Sequence, residues 1–88
     1  MTNLPKQWLT SKDVEGENLF KFYDTTSMAE AFALADSIKG IILVSDYVEN
    51  VQVSLHTFNV MVSLNDVDTS NRADIIALAH EIETAINR

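Results

Sequence analysis

The side chains best suited to acid–base chemistry are the two histidines, His56 and His80. Histidine changes charge near neutral pH, which makes it a common proton donor or acceptor in active sites. His56 stands at the end of a predicted strand beside a tight turn, and no second titratable residue adjoins it in the sequence. His80 lies away from the apolar stripe of the last predicted helix, near Ile76 and Glu83, on a face that we expect to be solvated. Both positions therefore predict structural or surface roles.

A run of oxygen-bearing side chains at residues 66–71 loosely resembles a calcium loop. An EF-hand loop also needs a central glycine and a closing bidentate glutamate, and this run has neither at the required offset. The two glycines, Gly16 and Gly40, lie far apart, so the sequence contains no glycine-rich phosphate loop. We therefore expect turn and helix-capping roles here, and the sequence predicts neither a metal nor a cofactor.

The elements that must position these residues centre on residues 46–68, where two short runs have an apolar residue at every second position. The runs are Val51, Val53 and Leu55, then Val60, Val62 and Leu64. This alternation is typical of half-buried strands. Residues 56–59 are few enough to join the runs as an antiparallel hairpin. One face of the hairpin must be covered by the rest of the chain.

A second hairpin is predicted nearer the start of the chain, after a loose segment at residues 1–6. Residues 8–14 can form its first strand, with Trp8, Thr10 and Lys12 on one face. The Glu-Gly-Glu sequence of residues 15–17 indicates a turn, because glycine tolerates a positive φ. Residues 19–23 then form the second strand, in which Phe20 and Phe22 share a face.

A helix is predicted to begin after Ser27, because Glu30 follows three residues later and completes a capping box. Its apolar residues recur at helical spacing and predict a buried stripe: Met28, Ala31, Phe32, Ala35, Ile38 and Ile42. The helix could end at Gly40, leaving residues 41–44 as a strand, or it could continue to about Ser45. The continuing stripe favours the longer helix. A second apolar side, formed by Leu34, Ile41 and Val44, then predicts a subunit contact.

The last helix follows a polar loop at residues 65–71. Thr69 or Ser70 is expected to cap it, and Asp74 in its first turn suits the positive end of the helix dipole. Its predicted buried face consists of Ile75, Leu78, Ala79, Ile82 and Ile86. The predicted fold is therefore α+β, in the order β-β-α-β-β-α, with a four-stranded antiparallel sheet and two helices packed on one face.

Composition limits the possible partners. The 88 residues predict one domain, residues 1–88, with a small stability margin that oligomerisation would improve. A formal net charge of −7 argues against nucleic acid and anionic membranes as partners, since both require clustered basic residues. The longest apolar run, residues 41–44, is too short to cross a bilayer, and residues 1–12 lack the apolar core of a signal peptide. Without cysteine, disulfides are excluded, and we expect a cytoplasmic protein.

From Trp8 to Asn87, the order of elements and several residues resemble the pterin-4a-carbinolamine dehydratases, also called 4a-hydroxytetrahydrobiopterin dehydratases. The resemblance rests on Trp8, Glu15-Gly16, Phe20-Lys21-Phe22, Ala31-Phe32, Val60-Met61-Val62-Ser63-Leu64 and Leu78-Ala79-His80-Glu81-Ile82-Glu83. Most of these residues belong to the scaffold. The resemblance therefore implies the architecture more directly than the activity.

Active relatives carry His-His-Pro before the third strand and Thr-His-Asp after the fourth, and these histidines serve as acid and base. Aligned through residues 60–64, the two motifs fall on Glu49-Asn50-Val51 and on Asp66-Val67-Asp68. An alternative alignment through residues 51–55 places them at Gly40-Ile41-Ile42 and Thr57-Phe58-Asn59. Both alignments lose every catalytic histidine. The family's aspartate in the last helix falls one position after Asp74.

The resemblance implies three possible functions. The first is a non-catalytic relative that acts as an oligomeric binding, assembly or regulatory module, a homodimer or tetramer with a possible protein partner, as in a branch associated with Rubisco assembly. The second is an active dehydratase with a rearranged site that uses Asp68, Asp74 and His56. The third is a pocket that binds a pterin without converting it. Glu49, Asn50 and Asp66 are the candidate residues of this pocket.

Overall fold

The computed structural model describes residues 4–5, 7–13 and 16–86, and it confirms the predicted element order. The elements are β1 (Leu9–Asp13), β2 (Gly16–Asp24), α1 (Met28–Ile42), a 3-10 turn (Val48–Asn50), β3 (Val51–His56), β4 (Asn59–Val67) and α2 (Arg72–Ile86). The strands form one antiparallel sheet in the order β1-β2-β4-β3. Predicted features at residues 1–3, 6, 14, 15 and 87 lie outside the described residues.

The core lies between the two helices and one face of the sheet. Leu19 pairs with Leu64 across β2 and β4, and Val53 pairs with Val62 across β3 and β4, so these side chains share the inner face. The fully buried side chains of this core are Leu19, Ile38, Val60, Val62, Leu64, Ile75 and Ile82. The two predicted hairpins are thus confirmed, and the alternation of the sequence identified which residues share a face.

Among the described residues, no helix packs on the outer face of the sheet. Phe20 and Phe22 point to this face, as predicted, with their rings edge to face and 6.2 Å between centroids. The Phe22 side chain remains 47% exposed. The alternation of residues in β2 correctly placed Phe20 and Phe22 on the same face of the sheet. The helices cover the other face, which carries Leu19.

The predicted cap of α1 is present, because the Ser27 Oγ accepts a hydrogen bond from the Glu30 backbone N–H at 3.1 Å. The helix continues past Gly40, as the stripe favoured, and ends at Ile42, three residues before the predicted end at about Ser45; the alternative end at Gly40 and the strand at residues 41–44 were wrong. The prediction that Met28 and Phe32 are buried was also wrong, since they are 38% and 57% exposed. Met28 and Phe32 lie beside the buried stripe of α1, and no other described helix or strand covers them.

The other apolar side of α1 packs within its own chain. Leu34 and Ile41, which the sequence assigned to a subunit contact, are half-buried against the core. They adjoin α2, because Leu34 lines a cleft with Ile86 and Ile41 lines one with Leu78. Position along the helix alone could not decide which apolar side meets α2.

The segment before α2 differs from its prediction. Residues 65–67 continue β4 rather than forming a loop. The predicted caps Thr69 and Ser70 lie in the turn before α2, which begins at Arg72, and in this turn the Asp68 Oδ1 accepts from the N–H groups of Ser70 and Asn71 at 2.9 and 3.1 Å. Asp74 lies in the first turn of α2, as predicted. Within the described residues, neither helix has the length and apolar character needed to cross a membrane.

Replacing Ser27 by alanine should lower the free energy of unfolding by about 1 kcal/mol, because the Glu30 N–H loses its acceptor. Ser37→Ala is the matched control. Ser37 is exposed on the same helix, and its hydroxyl donates to the Ala33 carbonyl rather than capping a free N–H. Urea unfolding of the two variants measures the difference. Equal stabilities would show that the cap contributes nothing.

Candidate functional site

The catalytic candidates Asp68, Asp74 and His56 do not meet within one chain. Asp68 follows the end of β4, and Asp74 lies in the first turn of α2. His56 pairs with Asn59 at the other end of β4. The nine residues of β4 separate these two ends by roughly 26 Å at about 3.3 Å per residue. His56 therefore cannot exchange a proton with either carboxylate directly.

Asp68 is held in a hydrogen-bonded turn. Its Oδ1 accepts from the Ser70 hydroxyl at 2.6 Å in addition to the N–H groups of Ser70 and Asn71. The hydrogen bonds from the Ser70 hydroxyl, the Ser70 N–H and the Asn71 N–H lower the pKa of Asp68 below its ordinary range. The carboxylate therefore stays ionised at neutral pH and is better suited to stabilising the turn before α2 than to donating a proton.

Asp74 is tied to the segment that follows α1. Its Oδ2 accepts from the Tyr47 hydroxyl at 2.8 Å. This hydrogen bond, followed by burial, raises the pKa of Tyr47 above its ordinary value. Asp46 and Glu81 line an open cleft of about 270 Å³ with this pair. Among the described residues, no group of His, Asp and Glu side chains is arranged to hold a metal ion.

The three pocket candidates do not converge on one cavity. Glu49 is exposed in the 3-10 turn. The Asn50 Nδ2 donates to the Asn65 carbonyl at 3.0 Å, which ties the turn to β4. Asp66 is exposed and has a positive φ of 59° at an irregularity in the pairing of β4 with β2. These contacts shape the end of the sheet.

The sequence did not predict a polar cluster that centres on Glu83 and joins three elements of the fold. The Glu83 Oε1 accepts from Trp8 Nε1 at 3.0 Å, from Lys21 Nζ at 2.5 Å and from Tyr23 Oη at 2.6 Å. The Lys21 ammonium also lies 4.5 Å from the centre of the Tyr23 ring. We call Trp8, Lys21, Tyr23 and Glu83 the Glu83 cluster. It joins α2 to β2 and to the segment preceding β1.

Burial and hydrogen bonding set the protonation states of this cluster. Burial alone would raise the pKa of Glu83, but hydrogen bonds from Lys21, Tyr23 and Trp8 outweigh it and lower the pKa. Burial and the hydrogen bond to Glu83 raise the pKa of Tyr23 well above its ordinary range. An ionised carboxylate thus faces a protonated phenol, and Lys21 supplies the balancing cation.

A signal for this cluster was present in the sequence. The alternation that places Phe20 and Phe22 on the outer face places Lys21 on the inner face, between Leu19 and Tyr23. A cation on a covered face needs a carboxylate partner. Glu83 could have been proposed, because it lies four residues after Ala79 on the buried side of α2.

The lowered pKa of Glu83 predicts a loss of stability in acid. The carboxylate contributes stability that is fully present above its ordinary pKa of 4.5 and is lost as the pH falls through the lower folded-state pKa. We expect the denaturation midpoint of the wild type to fall more steeply below pH 4.5 than that of the Glu83→Gln variant. Urea unfolding from about pH 7 to about pH 3 measures both slopes. Parallel slopes would contradict the assignment.

A second charged site lies beside Asp68. An open cleft of about 490 Å³ is lined by Lys12, Gly16, Glu17, Val67, Asp68, Thr69 and Arg72. The Arg72 guanidinium pairs with the buried Glu17 carboxylate across it. This ion pair anchors the start of α2 to β2. In it, the charge of each side chain is balanced by the other.

The surface exposes many large apolar side chains for a chain of this size. Within the described residues, those more than about a third exposed are Leu9, Phe22, Met28, Phe32, Leu43, Val44, Val48, Leu55 and Phe58. Apolar patches that stay exposed on small proteins commonly mark interaction sites. The apolar surface is thus the clearest functional feature of this chain.

Several of these side chains lie along one edge of the molecule. In the sheet formed by the described residues, β3 is an edge strand paired with β4, and α1 packs over it. Phe32 lies two residues from Leu34, and Leu43 lies two residues from Ile41, so each is turned roughly 200° around the helix from the side that meets α2. Phe32, with Met28 one turn before it and Leu43 just beyond the end of the helix, therefore lies on the side of α1 that faces away from α2, towards the β3 edge. We call β3 and these three residues the β3 edge surface.

Comparisons with protein-family models, curated proteins and solved structures find no match to this chain. The resemblance to the pterin dehydratases therefore stays a prediction.

Proposed function

We propose that this protein is a non-catalytic, oligomeric binding and assembly module built on a pterin-dehydratase-like scaffold. The observation that carries the proposal is the set of exposed apolar side chains, several of them on the β3 edge surface. A chain of 88 residues has a small core, so its burial leaves little free energy to offset the exposure of these apolar side chains to water. Association with another protein surface would remove this apolar area from water and stabilise the fold.

The scaffold part of the proposal is supported by the Glu83 cluster. Trp8, Lys21 and Glu83 come from three separate motifs that carry the resemblance, and hydrogen bonds join them in one cluster. Their contact gives a structural role to positions that the sequence comparison picked out for other reasons.

The non-catalytic part is supported by the positions of the candidate acids and bases. Dehydration of a carbinolamine needs a proton donor and an acceptor beside the same substrate. His56 lies at the far end of the sheet from Asp68 and Asp74, and hydrogen bonds from Ser70 and Asn71 lower the pKa of Asp68. The alternative, a rearranged dehydratase site built from these residues, has no geometric support within one chain.

Two measurements test the proposal. Light scattering over a range of protein concentrations should give a mass above that of the 9.8 kDa chain, and a strict monomer at high concentration would overturn the assembly claim. Freshly generated carbinolamine should lose water no faster with the protein than in buffer. A faster rate that disappears in the Asp68→Ala variant would overturn the non-catalytic claim, with Asp36→Ala as the exposed control.

A further inference from the structure

We infer that the outer face of the sheet packs against the same face of a second copy, so that the two sheets stack face to face. This inference rests on the proposed function and adds a surface through which copies meet. In the described part of the chain, the helices cover the inner face. The outer face leaves Phe22 and Leu9 47% and 52% exposed. A second sheet, about 10 Å away, would remove these side chains from water.

Two rows of side chains cross the middle of the outer face. The first row, from β1 to β3, consists of Leu9, Phe20, Ser63 and Gln52. The second row, from β2 to β3, consists of Phe22, Met61 and Ser54. The aromatic side chains thus lie on β2, and small or flexible side chains lie beside them on β4. Neither row contains a charged residue.

The angle between the two phenylalanine rings favours a protein surface over a flat ligand. Phe20 and Phe22 meet edge to face, with 86° between their ring planes. Nucleic-acid bases bind aromatic side chains by stacking on the ring faces, and two perpendicular rings offer no common plane for such stacking. Side chains of a facing sheet, in contrast, interdigitate with rings that stand at different angles.

Charge favours a second copy as the facing protein. Each chain carries a formal net charge of −7, so two copies repel each other wherever their carboxylates meet. The two uncharged rows allow close approach without opposing carboxylates. A basic partner would be attracted elsewhere, for example to Asp46 and Asp74 around the cleft that follows α1.

The outer face is complementary to itself about a two-fold axis. An axis parallel to the strands and midway between β2 and β4 places β2 of each copy over β4 of the other. Phe20 then lies over Ser63 of the second copy, so a large ring meets a small side chain. Phe22 lies over Met61 of the second copy, and a thioether packs favourably against an aromatic ring. The angle of about 30° between stacked sheets displaces these central strands least.

The polar groups at this contact keep their partners. Ser63 is only 8% exposed, and its hydroxyl already donates to the Asn65 Oδ1 at 2.6 Å. Covering Ser63 with a phenylalanine ring therefore leaves no hydroxyl unpaired. In the next row, Asp24 pairs with Asn59 within the sheet. The same axis places each Asp24 over Asn59 of the second copy, so the carboxylate faces an amide that can donate to it.

Isotope-filtered NMR tests the contact directly. A uniformly isotope-labelled copy is mixed with an unlabelled copy at concentrations where light scattering shows association. The filter selects cross-peaks between a labelled and an unlabelled chain, which arise only across the interface. We expect cross-peaks between the Met61 methyl group and the Phe22 ring. The Met28 methyl group, exposed on α1, reports on the β3 edge surface in the same spectrum.

A charge on the outer face tests the same contact in solution. In Phe22→Lys, each ammonium would be buried against Met61 of the second copy, so the dissociation constant should rise about tenfold or more. Thr84→Lys adds the same charge at an exposed position of α2, on the helical side of the sheet, and should leave the dissociation constant unchanged. Circular dichroism confirms folding, and Phe22→Ser replaces Phe22→Lys should the lysine variant unfold.

The outcomes separate the inference from the proposed function. A monomeric wild type overturns both. An oligomer with cross-peaks from Met28 and none from Met61 overturns the face-to-face packing alone, and it leaves the outer face to a different partner. Equal dissociation constants for Phe22→Lys and Thr84→Lys also overturn the packing. Cross-peaks from Met61 to a residue other than Phe22 overturn the two-fold arrangement. Cross-peaks between Met61 and Phe22, with weaker association of Phe22→Lys, support the inference.

Discussion

Replacing Glu83 by glutamine should lower the free energy of unfolding by about 3 kcal/mol, which corresponds to roughly 12–24 °C in melting temperature. The Glu83 carboxylate pairs with Lys21, and the two side chains are only 14% and 9% exposed. The amide is almost the same size but uncharged, so the Lys21 ammonium would remain buried without a counter-charge. Chemical denaturation with linear extrapolation measures the loss, and an unchanged slope would show that the denatured state is unaffected.

Glu81→Gln is the matched control, because it makes the same chemical change at an exposed position of the same helix. We expect it to alter stability by less than about 0.5 kcal/mol. Lys21→Met combined with Glu83→Gln should recover part of the loss, since no unpaired ammonium then remains buried. If Glu83→Gln proved as stable as Glu81→Gln, the central role of the Glu83 cluster would be refuted.

Shortening Leu19 to alanine should destabilise the protein by a similar amount, about 3 kcal/mol. Leu19 is fully buried on β2 and pairs with Leu64 on β4, so its removal leaves a cavity at the centre of the sheet. The measurement is urea unfolding at a protein concentration held constant, because association can add to the apparent stability.

Leu9→Ala provides the comparison for Leu19→Ala. Leu9 lies on the neighbouring strand and is 52% exposed on the outer face. The same substitution there should cost less than about 1 kcal/mol, since little apolar area returns to water. Similar losses for both leucines would mean that the inner face of β2 is not the core.

The fold could be predicted from the sequence because the chain is locally consistent. Alternation in β3 and β4, the Ser27 cap and the apolar stripe of α2 each depend on neighbouring residues and the backbone period. These patterns also identified residues that share a face, such as Phe20 with Phe22. They could not tell which face is covered, because that depends on where the chain places its helices.

The errors at the ends of elements share one physical cause. α1 ends at Ile42, between the two predicted ends, and β4 continues through residues 65–67. The final residues of an element are held as much by tertiary contacts as by their own preferences. The Asn65 carbonyl accepts from Asn50, which helps to fix the end of β4 by a contact from outside the strand.

The sequence by itself determined the element order and the strand pairing within each hairpin. Only the tertiary structure decided that His56 lies far from Asp68, that Leu34 and Ile41 face α2, and that Lys21 meets Glu83. The physical reason is the separation along the chain between the residues that interact. Periodicity and capping act over a few residues, whereas the Glu83 cluster joins residues 62 and 75 positions apart. The same long-range packing leaves Phe32 exposed and β3 at the edge of the sheet.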